Sequence, residues 1–121
     1  MARLLVIDDD PHLLNLLEGT LTAAGHEVRC AGNGKEGLAL FVKQPADLVI
    51  TDLLMPEKDG LEIIQELLAR DANLKIIAMT GSPTEWNLVT IAETIGAQKT
   101  LLKPFTQDEV TEAVATLLQS Q

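Results

Sequence analysis

The sequence predicts a doubly wound α/β fold: a five-stranded parallel sheet of order 2-1-3-4-5 with five helices, in a single domain over residues 1–121. Three observations predict it. Short, nearly continuous apolar runs, as expected of strands buried on both faces, alternate five times with segments whose apolar residues recur at helical spacing. Right-handed crossovers then place helices on both sides of the sheet. At 121 residues the chain is too short for an eight-fold barrel, yet long enough to bury roughly two-thirds of its unfolded surface.

Residues 3–7, Arg-Leu-Leu-Val-Ile, form the first strand, which stops at Asp8-Asp9-Asp10. Asp10 is placed as an N-cap with Pro11 at the first helical position; Leu13, Leu14, Leu17 and Leu21 follow at helical spacing until Gly25. Glu27 to Cys30 is a short second strand. Asn33 caps the next helix with Glu36 three residues on, Leu38, Phe41 and Val42 mark its apolar side, and Pro45 closes it. Leu48 to Thr51 is the third strand, with Asp52 at its end. Asp59 has cap spacing to Glu62, and Leu61, Ile64, Leu67 and Leu68 give the third helix its inward face.

Leu74 to Met79 is the fourth strand, ending at Thr80-Gly81, and Ser82-Pro83-Thr84-Glu85 reads as a capping box. Leu88, Ile91, Ala92 and Ile95 are the expected buried stripe of helix four. Thr100 to Leu102 is the fifth strand, stopping at Lys103-Pro104. Thr106 to Glu109 caps a last helix that turns Val110, Val114, Leu117 and Leu118 inward. That helix runs almost to Gln121, which suits a free-standing domain and one cut from a longer chain alike.

Eighteen acidic residues against nine basic give a formal net charge of −9, which repels phosphate backbones and anionic lipid headgroups. Direct nucleic-acid binding by this domain is therefore not expected. The single Cys30 has no disulfide partner and reads as a small core residue, and no apolar run approaches the ~20 residues of a membrane span. The expected compartment is the cytoplasm.

In a sheet of this order the switch point falls between strands one and three, where ligands bind beyond the carboxyl ends of the strands. Asp8, Asp9 and Asp52 all end those two strands, with Thr80 and Lys103 ending the next two. Three converging carboxylates repel one another, so either some stay protonated or a cation joins them. An all-oxygen set suits Mg²⁺, which keeps waters and accepts phosphate oxygens. Thr80 adds a hydroxyl donor and Lys103 a mobile positive charge, which together make a site for a phosphoryl group.

These residues carry a resemblance. Asp8-Asp9, Asp52 followed by Met55-Pro56 and Asp59-Gly60, Thr80-Gly81, and Lys103-Pro104-Phe105 fall in the order found in the receiver domains of two-component response regulators, and the whole chain resembles a single, chemotaxis-regulator-like receiver. The resemblance implies that Asp52 takes a phosphoryl group from a histidine kinase, a phosphotransfer protein or a small phosphodonor. It implies a Mg²⁺ ion bound by Asp9, Asp52 and the backbone carbonyl of Leu54, with Asp8 acting through water. Thr80 and Lys103 would contact the phosphoryl oxygens, and the Lys103-Pro104 bond would be cis. Such a domain catalyses only its own phosphorylation and dephosphorylation, with a water attacking near Leu54 and Ser82, and switches a downstream target or output domain.

The chain departs from the family at Thr100, where an aromatic residue is usual three positions before the lysine. A threonine does not report phosphorylation by burying a ring, so output is expected to run through residues 80–84 and helix four. Trp86 and Val89 sit off the buried stripe of that helix and mark either packing under a neighbouring loop or a partner or homodimer surface. Asp59 reads as a cap rather than a ligand, and neither His12 nor His26 has the spacing of a metal site.

Two rival readings remain. Asp8-Asp9-Asp10 matches the D-x-D nucleophile motif of haloacid-dehalogenase-type phosphatases, although the chain lacks their late acidic metal motif. A pseudo-receiver would keep the fold without phosphotransfer.

Overall fold

A computed structural model describes residues 2–54, 60–81 and 86–119. Among the described residues ten elements alternate: β1 (Arg3–Ile7), α1 (Pro11–Ala23), β2 (Glu27–Ala31), α2 (Gly34–Lys43), β3 (Leu48–Asp52), α3 (Gly60–Arg70), β4 (Lys75–Thr80), α4 (Trp86–Ile95), β5 (Lys99–Leu102) and α5 (Gln107–Gln119). The strands form one parallel sheet in the order β2-β1-β3-β4-β5. The predicted topology is therefore the observed one. Ile7 pairs with Thr51, Asp52 with Met79 and Thr80 with Leu102, so the strand ends line up along one edge.

Side chains alternate across the sheet and divide the core in two. Leu5, Ile7, Val49, Ile76 and Ala78 pack under α2, α3 and α4, meeting Phe41, Ile63, Ile64, Leu67 and Ala92. Leu4, Val6, Leu48, Ile50, Ile77 and Met79 face α1 and α5, meeting Leu17, Leu21, Val110, Val114 and Leu117. With both faces covered, the three central strands have no use for polar residues until they reach the edge.

The helix starts follow the chemistry of their caps. Asp10 accepts from the His12 backbone N–H at 2.9 Å ahead of Pro11. Asn33 accepts from the Glu36 N–H at 2.8 Å, while Glu36 reaches back to the Gly32 N–H at 3.3 Å. Thr106 and Glu109 make a reciprocal box: the Glu109 N–H donates to Thr106 Oγ1 at 3.0 Å and the Thr106 N–H donates to Glu109 Oε1 at 2.9 Å. Gly25 (φ 98°) and Gly96 (φ 134°) turn the chain out of α1 and α4 through left-handed backbone that side chains rarely adopt. The expected caps at Asp59 and Ser82 lie outside the described residues.

Two apolar faces differ from expectation. Ile91 of α4 is 45% exposed and Val42 of α2 is 53% exposed. In α4 the inward line runs through Ala92, with Leu88 and Ile95 half-buried beside it. The buried face is narrow, and Ile91, one position round the helix from Ala92, falls outside it. In α2, Gly34, Gly37 and Phe41 form the buried line, and Val42, one position round the helix from Phe41, falls outside it. Ile63 and Ala113, not among the expected core residues, are buried, whereas Leu13, Leu14, Leu61, Leu68 and Leu118 are only partly covered. Cys30 is half-buried against the α1 side and its Sγ lies 3.8 Å from the Leu14 carbonyl; burial, reinforced by Glu18, pushes its thiol up to about 11.

Because the Thr106–Glu109 box satisfies two otherwise unpaired amide donors, Thr106→Ala is expected to lower unfolding stability by about 1 kcal/mol. Thr106→Ser is expected to leave it unchanged; urea denaturation of the two variants measures the difference.

Candidate functional site

The site is assembled by the strand ends. Asp8 follows β1 and stays tied to β2, its N–H donating to the Ala31 carbonyl at 3.1 Å. Its side chain is fully buried, and both oxygens are engaged: Oδ1 accepts the Asp10 N–H at 2.8 Å and Oδ2 accepts Lys103 Nζ at 2.8 Å. Asp52 ends β3, and the next residue remains in the ladder because the Leu53 N–H donates to the Met79 carbonyl at 3.0 Å. Asp52 Oδ1 accepts the Leu54 N–H at 3.2 Å and Oδ2 accepts Lys103 Nζ at 3.1 Å. One ammonium therefore joins the carboxylates of two neighbouring strands.

Lys103 reaches this position because β5 ends beside β4, with the Lys103 N–H donating to the Thr80 carbonyl at 2.7 Å. The peptide bond from Lys103 to Pro104 is cis, as the resemblance implied. Asp9 is exposed, yet its carboxylate completes a group with Asp8 and Asp52 whose oxygens lie within 4.8 Å of one another. Thr80 is buried at the end of β4, one position beyond Met79, the register partner of Asp52. Leu54 has an exposed side chain, so its contribution to the site is through its backbone.

The structure thus brings Asp8, Asp9, Asp52 and Lys103 together, with Thr80 and Leu54 on adjoining backbone. Asp10 is taken up by capping. Met55, Pro56, Asp59 and Ser82 lie outside the described residues, as does the Trp86 side chain. Gly60 was legible only as part of a motif, and its close packing on the Asp52 backbone was not. Thr100 carries a further feature the sequence did not reveal, a buried hydroxyl with no hydrogen-bond partner among the described residues.

Burial, helped by the negative charge of Asp8, lifts the Asp52 carboxyl above the usual carboxylate range against the opposing pull of Lys103. Burial also works against the Lys103 ammonium, but its hydrogen bonds and ion pairs with Asp8 and Asp52 outweigh this and hold the amine above its ordinary value. Three ionised carboxylates facing one ammonium leave two negative charges uncompensated. A divalent cation matches that imbalance, and a donor set of carboxylate oxygens without sulfur or imidazole suits a hard ion such as Mg²⁺. The acidic group can therefore hold a metal ion.

Residues 4–115 match the response regulator receiver domain. A probable transcriptional regulator, ycf27, of Porphyra purpurea is 35% identical over 117 residues, which is 97% of this chain and 47% of that protein. The chain thus spans about half the length of such relatives. A response regulator receiver domain protein from Clostridium thermocellum superposes with a TM-score of 0.92 at 31% identity, covering 98% of this chain and 94% of the other. The response regulator protein TrrA from Thermotoga maritima, in complex with Mg(2+)-BeF, superposes with a TM-score of 0.86 at 35% identity, covering 97% and 99%. This chain belongs to the response regulator receiver domain family.

Lys103→Met leaves Asp8 and Asp52 facing each other without a counter-charge. The metal-free variant is expected to lose about 3 kcal/mol of unfolding stability at neutral pH. The folded Asp52 keeps its proton at a pH where the unfolded carboxyl has already lost it, so acidification through that window favours the folded state and shrinks the deficit. Urea unfolding in a chelator across a pH series checks both the size and the sign.

Proposed function

We propose that Asp52 accepts a phosphoryl group from the phosphohistidine of a sensor histidine kinase or phosphotransfer protein, and that the modified domain switches a partner or output domain. The observation that carries this reading is the Lys103 ammonium held between Asp8 and Asp52 with Asp9 alongside. An Asp52 oxygen attacks phosphorus, the bond from phosphorus to the imidazole nitrogen breaks, and its electron pair stays on the ring. Lys103 balances charge gathering on the phosphoryl oxygens, and the Thr80 hydroxyl donates to one of them. Hydrolysis reverses the gain, a water attacking phosphorus while the oxygen of Asp52 leaves.

Asp9, Asp52 and the Leu54 carbonyl would hold Mg²⁺, with Asp8 acting through water. When bound, the ion supplies charge neutralisation at the transferring group. The domain is then a phosphoacceptor that catalyses only its own phosphorylation and dephosphorylation, not a turnover enzyme. Residues 1–121 make up a single receiver domain that works in the cytoplasm. The net charge of −9 argues against direct nucleic-acid contact, so any regulation of transcription would pass through another protein or domain. Exposed Ile91 and Leu102, on α4 and β5, favour this side of the domain for output or for a homodimer.

Against a phosphatase built on Asp8 and Asp10, the Asp8 side chain is fully buried and Asp10 caps α1. Incubation with Mg²⁺ and acetyl phosphate, followed by intact mass and hydroxylamine treatment, tests the assignment. Wild type and Asp8→Asn are expected to gain a hydroxylamine-labile phosphoryl group, Asp8→Asn more slowly, and Asp52→Asn is expected to gain none. Labelling lost with Asp8→Asn and kept with Asp52→Asn would favour the phosphatase, and no adduct on wild type from either acetyl phosphate or a kinase would favour the pseudo-receiver.

A further inference from the structure

Gly60 opens α3 directly against the residue proposed to carry the phosphoryl group. It is buried, and its N–H donates to the Leu53 carbonyl at 3.1 Å. A Cβ placed on it would collide with the Asp52 carbonyl oxygen and lie 2.7 Å from Leu53 Cα and 3.0 Å from the Asp52 carbonyl carbon. These are backbone atoms of a strand end and have no rotamer by which to move aside. Gly60 is the first helical residue of α3, and what it supplies there is space.

The segment from Asp52 to Leu54 is held on three sides. On the sheet side, the Leu53 N–H donates to the Met79 carbonyl at 3.0 Å. From within, Asp52 Oδ1 accepts the Leu54 N–H at 3.2 Å. The third side is Gly60, which accounts for the Leu53 carbonyl. We propose that Gly60 is a positioning residue for the metal and phosphoryl site, fixing the backbone from Asp52 to Leu54 by the close approach of a helix start that no side chain can share. This rests on the proposed Mg²⁺ site. A methyl group at Gly60 pushes the strand end away from α3, moving the Asp52 carboxylate relative to Asp8 and Asp9 and turning the Leu54 carbonyl with it.

Gly96→Ala is the matched control. A Cβ there would meet the Leu68 side chain and suffer the strain of φ 134°, but it lies at the end of α4 away from the carboxylates. Calorimetric titration of the 121-residue chain with MgCl₂, paired with urea unfolding in a chelator, separates positioning from stability. Gly60→Ala is expected to stay folded without metal and to bind Mg²⁺ about tenfold or more weakly, the loss seen when residues that orient ligands are changed. Gly96→Ala is expected to lose stability and keep wild-type Mg²⁺ affinity. Wild-type affinity in Gly60→Ala, an equal loss of affinity in Gly96→Ala, or failure of Gly60→Ala to fold without metal would each overturn the inference. A wild-type chain that binds no Mg²⁺ would instead overturn the reading on which it rests.

Discussion

The Lys103 ammonium, held between the carboxylates of Asp8 and Asp52, is the interaction on which the site depends. It joins the end of β5 to the ends of β1 and β3 across β4, so three strand ends meet in one contact. Without it, two largely buried carboxylates would face each other at a distance that disfavours ionising both. With it, the pair is only partly neutralised, and Asp9 adds another negative charge from the exposed side. This incomplete balance suits the edge to a cation.

The fold serves this edge by keeping its carriers rigid. Asp8 and Asp52 begin where two continuous apolar strands end, and the backbone of each next to the site stays tied to the neighbouring strand. Placing charge at the end of a buried strand, not within it, spares the core an unpaired ion. The same placement explains the raised Asp52 carboxyl: burial on the sheet side works against its charge, and the open side leaves room for a ligand to restore it. α4 is seated differently, on a narrow face around Ala92 with Leu88 and Ile95 half-buried beside it.

Much of this was legible in the sequence because the signals were local and periodic. Five apolar runs bounded by polar residues predict strand number and topology, and three caps among the described residues lie where their side chains indicate. The carboxylates, Thr80 and Lys103 were legible because parallel strands deliver their ends to one edge. What escaped were properties that depend on distance across the fold. Helical spacing counts apolar positions but not the depth of the neighbouring layer, so Ile91 and Val42 were misplaced. The direct pairing of Lys103 with Asp8 joins residues 95 positions apart, and the contact of Gly60 with Asp52 depends on how closely two backbones approach. Neither leaves a periodic trace.

The charge imbalance at this edge, and its relief by a cation, is open to direct measurement. Carbon-detected NMR of the Asp52 side-chain carboxyl across a pH series, with and without Mg²⁺, tests it directly. Asp52 is expected to titrate above the usual carboxylate range in the metal-free protein and well below that midpoint when Mg²⁺ is present. An Asp52 that titrates in the ordinary range and does not respond to Mg²⁺ would contradict it.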